Sequence, residues 1–77
     1  MMPIAVIQNN RQIASLMKRR RKALGITQTD LANRIGLAQS GVTEMEKQRR
    51  AYIPQRTLKM LRELGLELHI TEMDPRS

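Results

Sequence analysis

The sequence predicts an all-α domain of four to five short helices built around a helix-turn-helix and closed by one short C-terminal β-strand. Three observations carry this. The stretch Thr27 to Lys47, TQTDLANRIGLAQSGVTEMEK, reads as an amphipathic helix, a tight break and a second helix that opens on small polar residues. On either side of it, apolar residues recur at helical spacing and the runs stop at Gly25 and Gly65. Positions 66–73 instead alternate apolar with polar residues, the period of a half-buried strand. With 77 residues the chain makes one domain, near the size at which a core alone barely suffices and oligomerisation helps.

Positions 1–8 form an N-terminal arm whose apolar run Ile4-Ala5-Val6-Ile7 is either a short strand or a loose arm. Asn9 or Asn10 caps the first helix, in which Ile13, Leu16, Met17 and Leu24 make the apolar stripe. Lys18 to Lys22 is an unbroken basic run. At about 100° per residue five neighbours cannot all face solvent, so Arg20 continues the stripe from Met17 with its stem along the core edge and its head group in water. The rest of the run is a solvated face, although such a run also passes for a nuclear localisation patch.

Thr27 caps the second helix, and Asp30 three residues on completes a capping-box spacing. Leu31, Ala32 and Ile35 fall on one face, with Ile35 toward the core, and Gly36 provides the left-handed exit. The third helix runs from about Gln39 to Lys47 and buries Val42 and Met45. Gln39, Ser40, Thr43 and Glu44 then point outward near its N-terminal end. Pro54 makes 48–54 a loop. Helix four, Gln55 to about Leu64, buries Leu58, Leu61 and Leu64, with Met60 off the stripe. The strand carries Leu66, Leu68 and Ile70 on its apolar side and His69 on its polar side, where a lone histidine reads as a surface or interface residue. It needs a hydrogen-bonding partner, either the Ile4 to Ile7 run or the same segment of a second chain. Residues 9–65 then form the helix-turn-helix domain, 66–73 a strand that pairs within the chain or joins two chains as a dimerisation strand, and 74–77 a flexible tail.

The string ITQTDLANRIGLAQSGVTEMEK resembles the helix-turn-helix of the phage repressor family (lambda, Cro and Xre), down to the Gln-Ser-Gly-Val that opens its second helix. Together with MMPIAV at the start and TLKMLRELGLELHI near the end, the chain is most similar to HipB-type antitoxins, small dimeric repressors of operator DNA that also bind a HipA-type kinase toxin. The resemblance implies a lambda-repressor-like fold, a homodimer joined by strand pairing, operator DNA as one partner and a HipA-like kinase as another. It further implies that Gln28 contacts the DNA backbone and that Arg21 pairs with Glu46. Two positions depart from the family pattern: Arg20 stands where an apolar residue is usual, and Gln48 where a glycine is usual. A stand-alone Xre-type regulator and an antitoxin to a HigB-type ribonuclease are the alternatives.

Composition agrees with a nucleic-acid partner. Fourteen Lys and Arg against seven Asp and Glu give a net charge of +7, which favours a polyanion, nucleic acid ahead of an anionic membrane. In this arrangement Gln39, Ser40, Thr43 and Glu44 are the base-contacting set. Thr27, Gln28, Lys47, Arg49 and Arg50 are the phosphate-contacting set. A single aromatic residue, Tyr52, argues against a single-strand binder that stacks bases. With no cysteine, one histidine and no motif of paired carboxylates, no enzyme, metal site, cofactor or small-molecule ligand is expected. No stretch is apolar enough to span a bilayer and no secretory signal is read, so the expected location is the cytoplasm.

Overall fold

The computed structural model describes residues 3–47 and 52–73, in the order β1 (Pro3–Ile7), α1 (Asn10–Ala23), α2 (Gln28–Ile35), α3 (Gln39–Glu46), α4 (Gln55–Glu63) and β2 (Leu68–Thr71). Four helices and one small sheet make a mostly helical domain of the lambda-repressor-like kind. Asn9 caps α1: its side chain accepts from the Gln12 amide at 3.0 Å, and the Gln12 side chain accepts from the Asn9 amide at 3.2 Å. This reciprocal box satisfies donors that the first helical turn leaves open.

Asn10 is thereby released for a longer-range task. Its Oδ1 accepts from the backbone amides of Tyr52 at 3.1 Å and Ile53 at 2.9 Å, and its Nδ2 donates to the Ile53 carbonyl at 2.8 Å. The start of α1 thus holds the segment that leads into α4. That matters because α4 begins after Pro54 without any side-chain cap of its own. The Tyr52 hydroxyl donates to the Met45 carbonyl and joins the same segment to the end of α3.

The core is small. Among the described residues its buried apolar members are Ile7, Ala14, Leu16, Ala32, Val42 and Leu58. Ala14 and Ala32 are almost completely enclosed, and α3 packs against both α1 and α2. Several expected core positions lie farther out. Ile35 is 54 % exposed because Ala32 and the half-buried Leu31 take the inward face of α2, while Ile35 sits at its last turn. Leu64 is 67 % exposed because α4 ends at Glu63 and Leu64 lies at the cap, past the turn that covers Leu58 and Leu61. Met45 is half-buried, and Met17 and Leu24 rim an apolar groove of about 360 Å³ between α1, the start of α2 and the end of β2. Arg20 lies on that rim, as its place on the stripe predicts, whereas its head group, expected in water, meets Glu72 at 3.3 Å.

The sheet corrects the expected partner of the C-terminal strand. β2 pairs antiparallel with β1 of its own chain, Ile7 opposite Leu68, Val6 opposite His69 and Ala5 opposite Ile70, with a break in register between Pro3 and Ala5. The Ile4 to Ile7 run provides the needed edge at the cost of loop closure alone, whereas a second chain also loses its translational freedom. One edge of β2 is thus satisfied within the chain, and its opposite edge carries no strand among the described residues. The strand is also shorter than expected: Leu66, at 54 %, and Met73, at 64 %, flank it and are exposed, whereas Leu68 and Ile70 are half-buried as the alternation requires.

Replacing Asn10 tests the clamp. Asn10→Ala leaves two amides and a carbonyl unpaired, which costs about 1–3 kcal/mol. In a domain of this size that lowers Tm by roughly 4 °C or more. Asn10→Asp, which keeps both acceptor contacts, should recover part of the loss. Thermal unfolding followed by circular dichroism measures both, and an unchanged Tm for Asn10→Ala would strip the clamp of its role.

Candidate nucleic-acid interface

The interface is set by how α2 hands over to α3. Thr27 caps α2, its hydroxyl accepting from the Asp30 amide at 3.0 Å while the Asp30 carboxylate accepts from the Thr27 amide. The hydroxyl hydrogen of Thr27 stays available to a phosphate oxygen. At the far end Gly36 takes φ 74°, the left-handed conformation that an L side chain strains to adopt. The Leu37 amide then closes onto the Ala32 carbonyl at 2.9 Å. This turn delivers α3 with Gln39 and Ser40 exposed and Thr43 and Glu44 half-buried on its outer side.

Beneath them runs a connected series of polar groups. Arg21 grips Glu46 with two hydrogen bonds, Nε to Oε2 at 2.6 Å and Nη2 to Oε1 at 3.1 Å, and its Nη1 donates to the Ile26 carbonyl at 2.8 Å. Both side chains are buried, 10 % and 5 % exposed, so the pair is an internal tie between α1 and α3 and not a surface ornament. Gln28 Nε2 donates to Glu46 Oε1 at 3.0 Å. Gln28 Oε1 accepts from Gln39 Nε2 and lies against the Thr43 hydroxyl, each at 2.8 Å, and Gln39 Nε2 is 3.0 Å from Thr43 Oγ1. Gln39 and Thr43 are thus anchored to a charge in the interior.

The electrostatics follow from those contacts. The Arg21 hydrogen bonds hold Glu46 below the ordinary glutamate value against the opposing effect of burial, with Gln28 and the nearby Lys18 charge adding to the pull. The same bonds raise Arg21. Burial, with the Glu46 charge behind it, pushes the Tyr52 phenol up.

The structure brings Gln28, Gln39 and Thr43 together, with Thr27 next to Gln28 at the start of α2 and with Ser40 and Glu44 on α3. Lys47 is exposed at the cap of α3, and Arg49 and Arg50 lie outside the described residues. Gln28 is not a free arm toward phosphate, because both ends of its amide have partners within the chain. Of the strand residues, His69 meets Glu67 at 2.8 Å on the exposed side, while Leu68 and Ile70 stand opposite β1. Sequence reasoning missed the Asn10 clamp and the bridge from Gln28 to Glu46. The doubled asparagine at 9 and 10 was the available sign of the first, since one cap needs only one of them. Among the described residues no cluster of His, Asp or Glu suits a metal ion, and no helix is long and apolar enough to cross a membrane.

Because Glu46 is held below the ordinary value of 4.5, it binds fewer protons folded than unfolded. Its stabilising contribution is complete above that value and disappears as pH falls through the lower folded value. Unfolding by denaturant from pH 7 down to pH 2 should therefore show wild type losing its margin over Glu46→Gln in the acid range. A margin that stays constant with pH would contradict the ionised pair.

The helix-turn-helix family model matches residues 17–70, well over half of the chain. Neither the curated proteins nor the solved structures contain a match to it. The matched span holds α2, the Gly36 turn, α3 and both members of the Arg21–Glu46 pair. The chain belongs to the helix-turn-helix family of DNA-binding transcriptional regulators, in its Xre and lambda-repressor-like form.

Proposed function

We propose that this protein is a sequence-specific repressor that binds operator DNA as a homodimer and acts as the antitoxin of a toxin–antitoxin module, with a HipA-type kinase as the toxin and its own operon as the target. The observation that carries the DNA reading is the cluster of Gln28, Gln39 and Thr43 at the exposed end of α3, held by hydrogen bonds of 2.8–3.0 Å. Side chains fixed before contact lose little freedom on binding, and that is what base readout in the major groove requires. Gln39 and Ser40 read base edges, with Thr43 and Glu44 beside them. Thr27, Lys47, Arg49 and Arg50 neutralise or hydrogen-bond phosphates, and Gln28 supports Gln39 from behind.

The homodimer has its support in surface chemistry. Met60, Leu64 and Leu66 are each more than half exposed, an apolar load that a small domain covers by association. Two-fold pairing places two copies of α3 on successive turns of one duplex face. The antitoxin role rests on the likeness of the whole chain to HipB-type proteins. The strand pair within one chain favours the second reading, a stand-alone Xre-type regulator, because the C-terminal strand already has a partner.

Gln39→Ala should cost on the order of 1–3 kcal/mol on the operator and little on random duplex, in a complex of two chains per site. Fluorescence anisotropy on both duplexes decides this, and equal losses remove Gln39 from the base readers. Affinity purification from the native host, followed by mass spectrometry, tests the toxin. A co-purifying HipA-like kinase is the expected result, and its absence leaves the stand-alone regulator as the better reading.

A further inference from the structure

The buried carboxylate of Glu46 dictates more than stability. An ionised carboxylate only accepts hydrogen bonds, so the group that Gln28 turns toward it must be the Nε2 donor, found 3.0 Å from Glu46 Oε1. An amide carries its oxygen on the other side. Gln28 Oε1 therefore faces α3, where it accepts from Gln39 Nε2 at 2.8 Å with the Thr43 hydroxyl also 2.8 Å away. This draws the NH₂ end of Gln39 inward, and its Oε1 has no hydrogen-bond partner among the described residues. Turning the Gln39 amide over would set two carbonyl oxygens against each other at the 2.8 Å now spanned by a hydrogen bond. Turning Gln28 over as well would set its oxygen against the Glu46 charge. The direction of the outer amide is thus inherited from a charge two residues removed.

We propose that Glu46 is a specificity-determining residue that never touches DNA: through Gln28 it fixes Gln39 so that an acceptor faces the major groove. Residue 39 then selects a base that offers an exocyclic amino group there, adenine or cytosine, over guanine or thymine, which present acceptors at the corresponding edge. This rests on the reading that Gln39 meets base edges. Glu46 and Gln28 are positioning residues in this scheme, and their signature is base preference and not affinity.

The test uses the purified full chain and the duplex it enriches most strongly from a randomised library. The position read by residue 39 is the one whose preference Gln39→Ala abolishes. Wild type should prefer A or C there by about tenfold or more. It should lose that margin when adenine is replaced by purine, or cytosine by 2-pyrimidinone, each lacking the amino group. Glu46→Gln, whose amide donates or accepts, and Gln28→Met, which does neither, should each accept all four bases there within about threefold. Gln28→Met leaves the Arg21–Glu46 pair in place, so the question stays answerable if Glu46→Gln folds poorly. Wild-type preference retained by Gln28→Met, or a wild-type preference for G or T at that position, overturns the proposal. A library that yields no selective duplex overturns the base-reading role itself, a failure distinct from that of the relay.

Discussion

The ion pair between Arg21 and Glu46 is the constraint around which the rest is arranged. Removing two charges from water costs several kcal/mol each, and such a pair persists only where further hydrogen bonds satisfy what the partners leave open. Here they do. Glu46 receives two bonds from Arg21 and one from Gln28, and Arg21 spends its remaining nitrogen on the Ile26 carbonyl. Four pieces of chain therefore meet at one polar centre: α1, the turn after it, the start of α2 and the end of α3. In a domain with so few buried apolar side chains, that centre sets the relative angle of the helices in place of bulk packing. It also explains how a mobile type of side chain, glutamine, is held still on an exposed helix.

The apolar core complements this by being thin where helices must approach. Ala14 and Ala32 are its most enclosed members, and α3 packs against both α1 and α2. The cost appears at the periphery, where Ile35, Met60, Leu64 and Leu66 remain more than half exposed. A fold that is closely joined near the Gly36 turn and sparsely covered elsewhere suits a protein whose outer surfaces meet other molecules.

Local chemistry was readable from the sequence and distant chemistry mostly was not. The Thr27 and Asp30 box, the left-handed Gly36 and the extent of α3 each depend on residues within four positions of one another, and each was expected from the sequence. The Arg21–Glu46 pair, 25 positions apart, was reached only through family resemblance. Asn10 acts across more than forty positions, and no periodicity marks such a contact. The strand partner was misjudged for a related reason: alternation reveals that a strand needs an edge but not which edge is nearest. Ile35 and Leu64 were misplaced because helical spacing assigns a face without knowing where the covering elements stop. Within the interface, the types of side chain on α3 were foreseen, whereas the inward role of Gln28 depends on a carboxylate that spacing alone cannot connect to it.

The union of β1 with β2 has a consequence for how the protein is made. Its two strands are separated by roughly sixty positions, so the chain must close a long loop before either gains a hydrogen bond. During synthesis the helices emerge and can collapse on one another while β1 waits for a strand that does not yet exist. For that interval an Ile- and Val-rich edge is open to strangers. Pro3, which has no amide hydrogen, blunts that edge at its outer end and so limits pairing of the newborn polypeptide with its neighbours on the ribosome.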